Sequence, residues 1–151
     1  MRAAVIIFPG SNCDRDLISA LSLAGHETTP VWHKETELPK NVDLVAIPGG
    51  FSFGDYLRCG AIAAKSPIFK EVIRHIDRGG YALGICNGFQ ILTEAGILPG
   101  ILQQNTGTKF ISKVIDLRVN NTSSTFTHKY SSNRIISVSY THLTLPTILL
   151  V

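Results

Sequence analysis

The sequence predicts an α/β fold: a flavodoxin-like doubly wound open sheet that is mostly parallel. Two kinds of segment alternate along the chain, namely short continuous apolar runs, typical of strands buried on both faces, and longer stretches with apolar residues at helical spacing. Turns rich in glycine and proline follow several of the apolar runs. With right-handed crossovers, this alternation places helices on both faces of the sheet and ligands beyond the carboxyl ends of its strands.

The first βα unit begins with the apolar run 3–8, which we expect to be a buried strand. Ser11 or Asn12 would cap a helix that continues to Ala24 and ends at Gly25. The same reasoning predicts further strands at 28–32, 43–47 and 81–83, and helical stretches at 57–65, 67–78 and 89–95.

After Gly100 the periodicity weakens. The segments 111–119 and 134–138 alternate enough to be strands, with a polar turn at 120–124. The 151 residues suit one domain.

Composition excludes several classes of partner. The net charge of +3 comes from scattered Lys and Arg without interleaved aromatic residues, so we expect no nucleic-acid partner. The apolar runs 3–8 and 143–151 are too short to span a bilayer, which argues against a membrane partner. Three cysteines, too far apart for a disulfide framework or a metal site, favour a reducing, cytoplasmic location; they are Cys13, Cys59 and Cys86.

A strand-to-helix turn with a central cysteine is the main chemical signal. Gly84 and Gly88 bracket Cys86 with the G-x-nucleophile-x-G spacing of a nucleophile elbow. At the start of a helix, the helix dipole and free N–H groups would favour the thiolate, and the N–H of Asn87 could face a developing oxyanion. A buried, inert cysteine in a tight turn is the alternative for this motif considered by itself.

A second glycine turn, 48–51, ends the strand predicted at 43–47. Its adjacent glycines could aim an N–H group toward the elbow and complete an oxyanion hole opposite Asn87, or they could form an ordinary tight turn. Neither of the common phosphate-binding glycine motifs is present in the sequence. The turns 9–12, 48–51 and the elbow would meet at one edge of the sheet.

Three stretches resemble one enzyme family. Residues 8–14, 48–61 and 84–92 are similar to the glutaminase subunits of phosphoribosylformylglycinamidine synthase, within the class I amidotransferase superfamily. The block 48–61 is specific to these subunits, whereas the elbow marks the wider superfamily. The likeness continues through Leu98-Pro99-Gly100, Asn105 and Lys109-Phe110, roughly to Val138.

The resemblance implies that glutamine is hydrolysed by a Cys-His-Glu triad. Cys86 would attack the amide and form a glutamyl thioester, while the N–H groups of Gly50 and Asn87 hold the oxyanion. Gln90 matches a position that helps to hold glutamine, with a packing role as the alternative. Asp55 and Arg58 would shape the pocket or a docking surface, or have a structural role.

The resemblance also implies partners. Ammonia would pass to a large synthetase subunit, in a complex with a small accessory subunit, for conversion of formylglycinamide ribonucleotide to its amidine in purine biosynthesis. This chain would bind no cofactor, since ATP and Mg are used by the partner synthetase.

One part of the family pattern is missing. The family carries its base in a Pro-His-Pro-Glu segment, which the 151 residues lack. Among the five histidines, only His33 is expected near the crevice. From about Ser139 the family likeness ends, so we predict an incomplete amidotransferase domain over 1–138 and an aberrant tail, from a truncation or frameshift, over 139–151. Glutaminase turnover by these residues should therefore be poor or absent.

Two other functions remain open at this point. The chain could be an elbow-cysteine hydrolase that acts on another small amide, or a catalytically dead fragment that binds the synthetase as a scaffold. Cys13 could be a second reactive thiol, although without bracketing glycines we expect it to be packed.

Overall fold

The structure is a computed structural model, and it describes residues 1–104, 107, 111–142 and 144–147. The chain divides into two compact units, the first built on Met1–Leu102 and the second on Gln103–Leu145. In the described part of the chain, no helix is long and apolar enough to cross a membrane.

A parallel four-stranded sheet forms the centre of the first unit. Its strand order is β2-β1-β3-β4, the order of a flavodoxin-like sheet, with β1 Arg2–Ile7, β2 Glu27–Trp32, β3 Leu44–Ile47 and β4 Tyr81–Gly84. The helices are α1 Asp14–Leu23, α2 Phe69–Asp77 and α3 Asn87–Glu94, with short 3₁₀ turns at Ser52–Asp55 and Ala63–Lys65.

Helices cover both faces of this sheet, and the alternation of side chains along β1 explains how. One face of β1 joins a core that includes residues of α2 and α3, while the other joins a core with α1. Burial of both faces requires apolar residues at successive positions, which accounts for the continuous apolar run. The predicted doubly wound α/β fold is confirmed.

One predicted helix, 57–65, is wrong. Leu57 and Gly60 have φ values of 68° and 82°, in the left-handed region, and only Ala63–Lys65 forms a 3₁₀ turn. A Cβ at Gly60 would lie 2.8 Å from the backbone nitrogen of Ile91, so this segment is shaped by its close approach to α3.

The predicted cap of α1 is also wrong. The N-cap residue is Cys13, and its side chain makes no capping hydrogen bond. Ser11 instead forms a β-bridge with Gly50, and its hydroxyl accepts a hydrogen bond from the N–H of Phe8. The polar turn after β1 therefore pairs with the glycine turn that follows β3.

The second unit contains an antiparallel pair, β6 Ile111–Arg118 and β7 Ile135–His142, with Ile115 opposite Val138. Both strands were expected, but the polar turn expected at 120–124 lies later in the chain, at 125–129. Two further strands, β5 Ile101–Gln104 and β8 Thr144–Thr147, whose residues are divided between the two units, form a two-stranded sheet.

The division into 1–138 and 139–151 stays a prediction, although β7 runs through Ser139. Leu143 and 148–151 of that tail lie outside the described residues. The family-like positions Asn105, Lys109 and Phe110 do so as well.

Candidate active site

Cys86 lies at a sharp corner between β4 and α3, with φ 54° and ψ −110°, a strained conformation for a residue with a side chain. A Cβ at Gly84 would lie 2.6 Å from the carbonyl group of Gly88, and a Cβ at Gly88 would lie 2.1 Å from the carbonyl oxygen of Ile47. Only glycine fits at either position. The predicted elbow is confirmed, and Cys86 is exposed.

Two backbone N–H groups face the sulfur. Although the residue is exposed, partial burial of its sulfur raises the pKa of the Cys86 thiol. Hydrogen bonds from the N–H groups of Asn87 and Gly50 lower that pKa by less, and the charges of Cys13 and Asp55 add to the rise. The N–H groups at the elbow therefore favour the thiolate, as expected, but burial has the larger effect on the pKa. A thiol with a raised pKa gives up its proton less readily, so a neighbouring base would assist its attack.

Gly50 owes its position to the turn that follows β1. Its φ is 134°, and a Cβ there would lie 2.7 Å from the backbone nitrogen of Asn12 and 2.8 Å from the carbonyl oxygen of Gly10. The N–H of Phe51 donates to that same Gly10 oxygen at 3.0 Å. The three turns thus meet at one edge of the sheet, as predicted, and they bring the Gly50 N–H to the elbow.

Asn87 and Gln90, on the first turn of α3, are both buried. The Asn87 side-chain oxygen accepts from the N–H of Ser52 at 3.1 Å, and its amide nitrogen donates to Asp55 at 3.3 Å and to Gln90 at 3.0 Å. Gln90 is 4% exposed, and its carbonyl oxygen is used in this contact. The implied role of Gln90 in holding glutamine stays a prediction.

The Asn87 side chain was missed by sequence reasoning, which used only its backbone N–H. Its partners in the 52–55 loop lie more than 30 residues away in the sequence. The available signal was an amide side chain next to the nucleophile at a helix start, a position where buried polar groups require partners.

Arg58 fixes the end of the loop 50–58, which contains partners of Asn87, to α3. Its guanidinium contacts both carboxylate oxygens of Glu94, at 3.0 Å and 2.6 Å. The Glu94 side chain is only 9% exposed, whereas that of Arg58 is 63% exposed. This bidentate geometry supports the structural role considered for Arg58, and its role in a pocket or docking surface stays a prediction.

Cys13 was expected to be packed, and this is wrong. It is exposed, and its thiol donates to the side-chain oxygen of Asn12 at 3.3 Å. A Cβ at Gly49 would lie 3.7 Å from the Cys13 sulfur and 3.4 Å from the Cys86 Cβ, so the two cysteines flank the same glycine.

His33 was expected near the crevice, but it is buried among the rings of Phe8, Trp32 and Phe53. Its Nδ1 lies 3.4 Å from the Ser66 hydroxyl, and burial, with the neighbouring Lys34, lowers its pKa. No histidine of the described part of the chain is among the groups that shift the pKa of Cys86. Within the same residues, no cluster of His, Cys, Asp or Glu is arranged to hold a metal.

Comparisons with known proteins agree with this geometry. The family model for the CobB/CobQ-like glutamine amidotransferase domain matches residues 1–146. The phosphoribosylformylglycinamidine synthase subunit PurQ of Ruegeria sp. (strain TM1040) is 60% identical over 142 residues, which cover 94% of this chain and 64% of that protein. The PurQ subunit of Zymomonas mobilis is 53% identical over 143 residues, covering 94% and 65%.

Solved structures show the same likeness. A chain in the structure of PurLQS from Thermotoga maritima is 43% identical, with a TM-score of 0.86, covering 95% of this chain and 66% of that one. A glutamine amidotransferase from Thermotoga maritima, 17% identical with a TM-score of 0.58 over 96% of this chain and 61% of that one, shares the fold. The chain spans about 64% of the length of the first curated relatives it matches. By its match over nearly its whole length, this chain belongs to the CobB/CobQ-like glutamine amidotransferase family.

Proposed function

We propose that the protein is a glutaminase subunit that hydrolyses glutamine to glutamate and ammonia, with Cys86 as the nucleophile. The observation that carries this proposal is the placement of the Cys86 sulfur at an elbow, where the N–H groups of Gly50 and Asn87 face it. Two such donors are suited to the oxyanion of a tetrahedral intermediate. The family membership supports the same chemistry.

In the proposed reaction, the Cys86 sulfur forms a bond with the side-chain carbonyl carbon of glutamine. The carbonyl electron pair moves to oxygen, which Gly50 and Asn87 hold by hydrogen bonds. Return of that pair breaks the carbon–nitrogen bond, and the nitrogen leaves as ammonia after it receives the proton that a base took from the Cys86 thiol. Water then cleaves the thioester to glutamate and restores the thiol.

A base would be needed to take the proton of the Cys86 thiol, since a protonated thiol is a poor nucleophile, and the raised pKa of Cys86 increases that need. We propose that this base is the family histidine, oriented by the family glutamate, from a Pro-His-Pro-Glu segment that the 151 residues do not contain. Loss of a general base typically lowers a rate by about 10² to 10⁴. These residues alone should therefore turn over glutamine slowly or not at all.

The relatives' names support a partner as well. Curated relatives are named as subunits of phosphoribosylformylglycinamidine synthase, and one solved relative is part of PurLQS. We propose that ammonia passes to a large, cytoplasmic synthetase subunit, which makes formylglycinamidine ribonucleotide in purine biosynthesis with the aid of a small accessory subunit. ATP and Mg would be used by that synthetase, with no cofactor bound by this chain.

A chloromethyl ketone analogue of glutamine tests the site without requiring turnover. We expect it to alkylate Cys86, with an adduct located by mass spectrometry, and we expect glutamine but not asparagine to slow the reaction. Cys86→Ser should abolish the adduct, and Cys13→Ser should leave it. Labelling of Cys13 or Cys59 without labelling of Cys86 would refute the assignment.

A scaffold role is the second candidate, and one observation favours it. Tyr56 and Leu57, on the loop that follows Gly50, are 74% and 89% exposed, which suits a face covered by another subunit. Co-purification with purified PurL and PurS of a relative, without ammonia release, would support the scaffold role. Failure to bind either subunit would exclude it.

A further inference from the structure

We propose that the Asn87 side chain is a positioning residue that holds the Gly50 N–H against the Cys86 sulfur. Asn87 then contributes twice, because its own backbone N–H is one donor to the sulfur and its side chain fixes the loop that supplies the other. Calling these donors an oxyanion hole rests on the proposed function, whereas their placement around the sulfur is independent of it.

The contacts of Asn87 span the loop from near Gly50 to Asp55. Ser52, two residues after Gly50, donates its N–H to Oδ1 at 3.1 Å, and Asp55 accepts from Nδ2 at 3.3 Å. Gln90 accepts from the same nitrogen at 3.0 Å, which fixes the orientation of the amide. Since Asn87 is 1% exposed, water does not compete for these bonds.

The loop needs such support because its backbone is unfavourable. Phe53, Asp55 and Leu57 have positive φ values of 53°, 56° and 68°. This left-handed region of the backbone is unfavourable for a residue with a side chain. A loop of this kind keeps its shape only where surrounding contacts fix it.

Other contacts hold the loop to different elements. The N–H groups of Phe51 and Phe53 donate to Gly10 and Pro9, which fixes the loop to the turn after β1. Arg58 fixes its far end to the end of α3 through Glu94. Asn87 is adjacent to Cys86, so its side chain sets the loop relative to the sulfur itself.

The test measures the reactivity of Cys86 as a function of pH in a Cys13→Ser, Cys59→Ser background. Asn87→Ala keeps the backbone N–H and introduces a good helix former. If the Gly50 N–H moves away, the thiolate loses a hydrogen bond, and alkylation by iodoacetamide at neutral pH should fall by about threefold or more. The midpoint of the rate profile should move to higher pH.

The effect of nearby charges on the pKa of Cys86 must be separated from the effect of hydrogen bonding. Among the described residues, the titratable groups that act on the sulfur are Cys13 and Asp55. Cys13 is absent from the background. Repeating the comparison with Asp55→Asn in both proteins removes the second charge. Thr93→Val is the matched control, since Thr93 is buried on the same helix and its hydroxyl donates to the carbonyl oxygen of Phe89 at 3.0 Å.

Hydrogen exchange gives a second readout. In the unaltered chain, the Ser52 N–H should be protected from exchange as strongly as the Gly88 N–H. The Gly88 N–H donates to the carbonyl oxygen of Ile85 within the elbow. Asn87→Ala, or Asn87→Ser if the alanine variant does not fold, should expose Ser52 and Gly50. Fast exchange of Ser52 in the unaltered chain, or a wild-type pH profile in a folded variant, would overturn the proposal.

The outcomes are distinguishable from failure of the proposed function. If the glutamine analogue does not label Cys86 but Asn87→Ala shifts the pH profile, the positioning role stands and the glutaminase assignment fails. If the analogue labels Cys86 but Asn87→Ala leaves the pH profile unchanged, the glutaminase assignment stands and the positioning role fails.

Discussion

Gly88 and Ile47 approach so closely that a Cβ on Gly88 would lie 2.1 Å from the Ile47 carbonyl oxygen. This contact joins the first turn of α3 to the end of β3, the strand that leads into the Gly50 loop. The elbow and the second N–H donor are therefore set by one backbone approach, and a side chain at Gly88 would separate them.

Gly88→Ala should destabilise the fold by about 3 kcal/mol or more, since backbone atoms of β3 cannot yield to the added methyl group. Helix propensity predicts the opposite sign, a gain of about 1 kcal/mol for Gly to Ala within a helix. Urea denaturation followed by circular dichroism measures which effect is larger. A stability at or above that of the wild type would contradict the contact.

Gly25→Ala is the matched control for that prediction. Gly25 has a φ of 81°, and nothing lies within 4 Å of the position that a Cβ would occupy. Only the backbone conformation is penalised there, which should cost about 1–2 kcal/mol. The loss should therefore be smaller than for Gly88→Ala.

The pKa of the Cys86 thiol should be higher than that of an ordinary thiol, because partial burial raises it more than the two N–H groups lower it. The rate of alkylation by iodoacetamide should keep rising above about pH 8.5, where a free cysteine reaches half of its maximal rate. Mass spectrometry of the Cys86 peptide, with glutathione as the reference thiol, gives the profile. A midpoint below that of glutathione would show that the helix start outweighs burial.

His33 should make the fold sensitive to acid. Burial among aromatic rings lowers its pKa, so the neutral form is favoured in the folded state. The stability from this preference is present above the unfolded pKa of about 6.5 and is lost as pH falls through the lower folded value. His33→Phe removes the titration and keeps a ring at the site.

The free energy of unfolding should therefore fall less for His33→Phe than for the wild type between about pH 7.5 and pH 5. Urea denaturation at both pH values tests the difference. Ser66→Ala, which removes the hydroxyl near Nδ1 but keeps the histidine, should retain the wild-type direction of the pH dependence. Equal slopes for His33→Phe and wild type would exclude His33 as a cause.

Features set by local sequence were predictable, and those set by distant contacts were not. The apolar strands and the glycines around Cys86 follow from periodicity and from steric limits at the elbow. The stretch 57–65 has helical spacing, but Gly60 is held against the backbone of α3 and breaks the helix. The Asn87 network joins residues more than 30 positions apart, and the direction of the Cys86 pKa depends on burial that no local pattern reveals.

Gly50→Ala and Gly49→Ala should have different effects on stability and on labelling of Cys86, although the two glycines are adjacent. A Cβ at Gly50 would meet backbone atoms of Asn12 and Gly10 at 2.7–2.8 Å, and its φ of 134° disfavours any side chain. The loop must move, so we expect a loss of about 2 kcal/mol or more in the free energy of unfolding. The Gly50 N–H would also leave the sulfur, and labelling of Cys86 by the glutamine chloromethyl ketone should slow.

Gly49→Ala has ordinary contacts instead, at 3.4 Å from the Cys86 Cβ and 3.7 Å from the Cys13 sulfur. Its backbone is not in the left-handed region, so its stability should remain near that of the wild type. Urea denaturation and timed labelling of both variants, measured in parallel, test the pair. Equal losses in the two variants would mean that bulk near the crevice, rather than the position of the Gly50 N–H, controls the reactivity of Cys86.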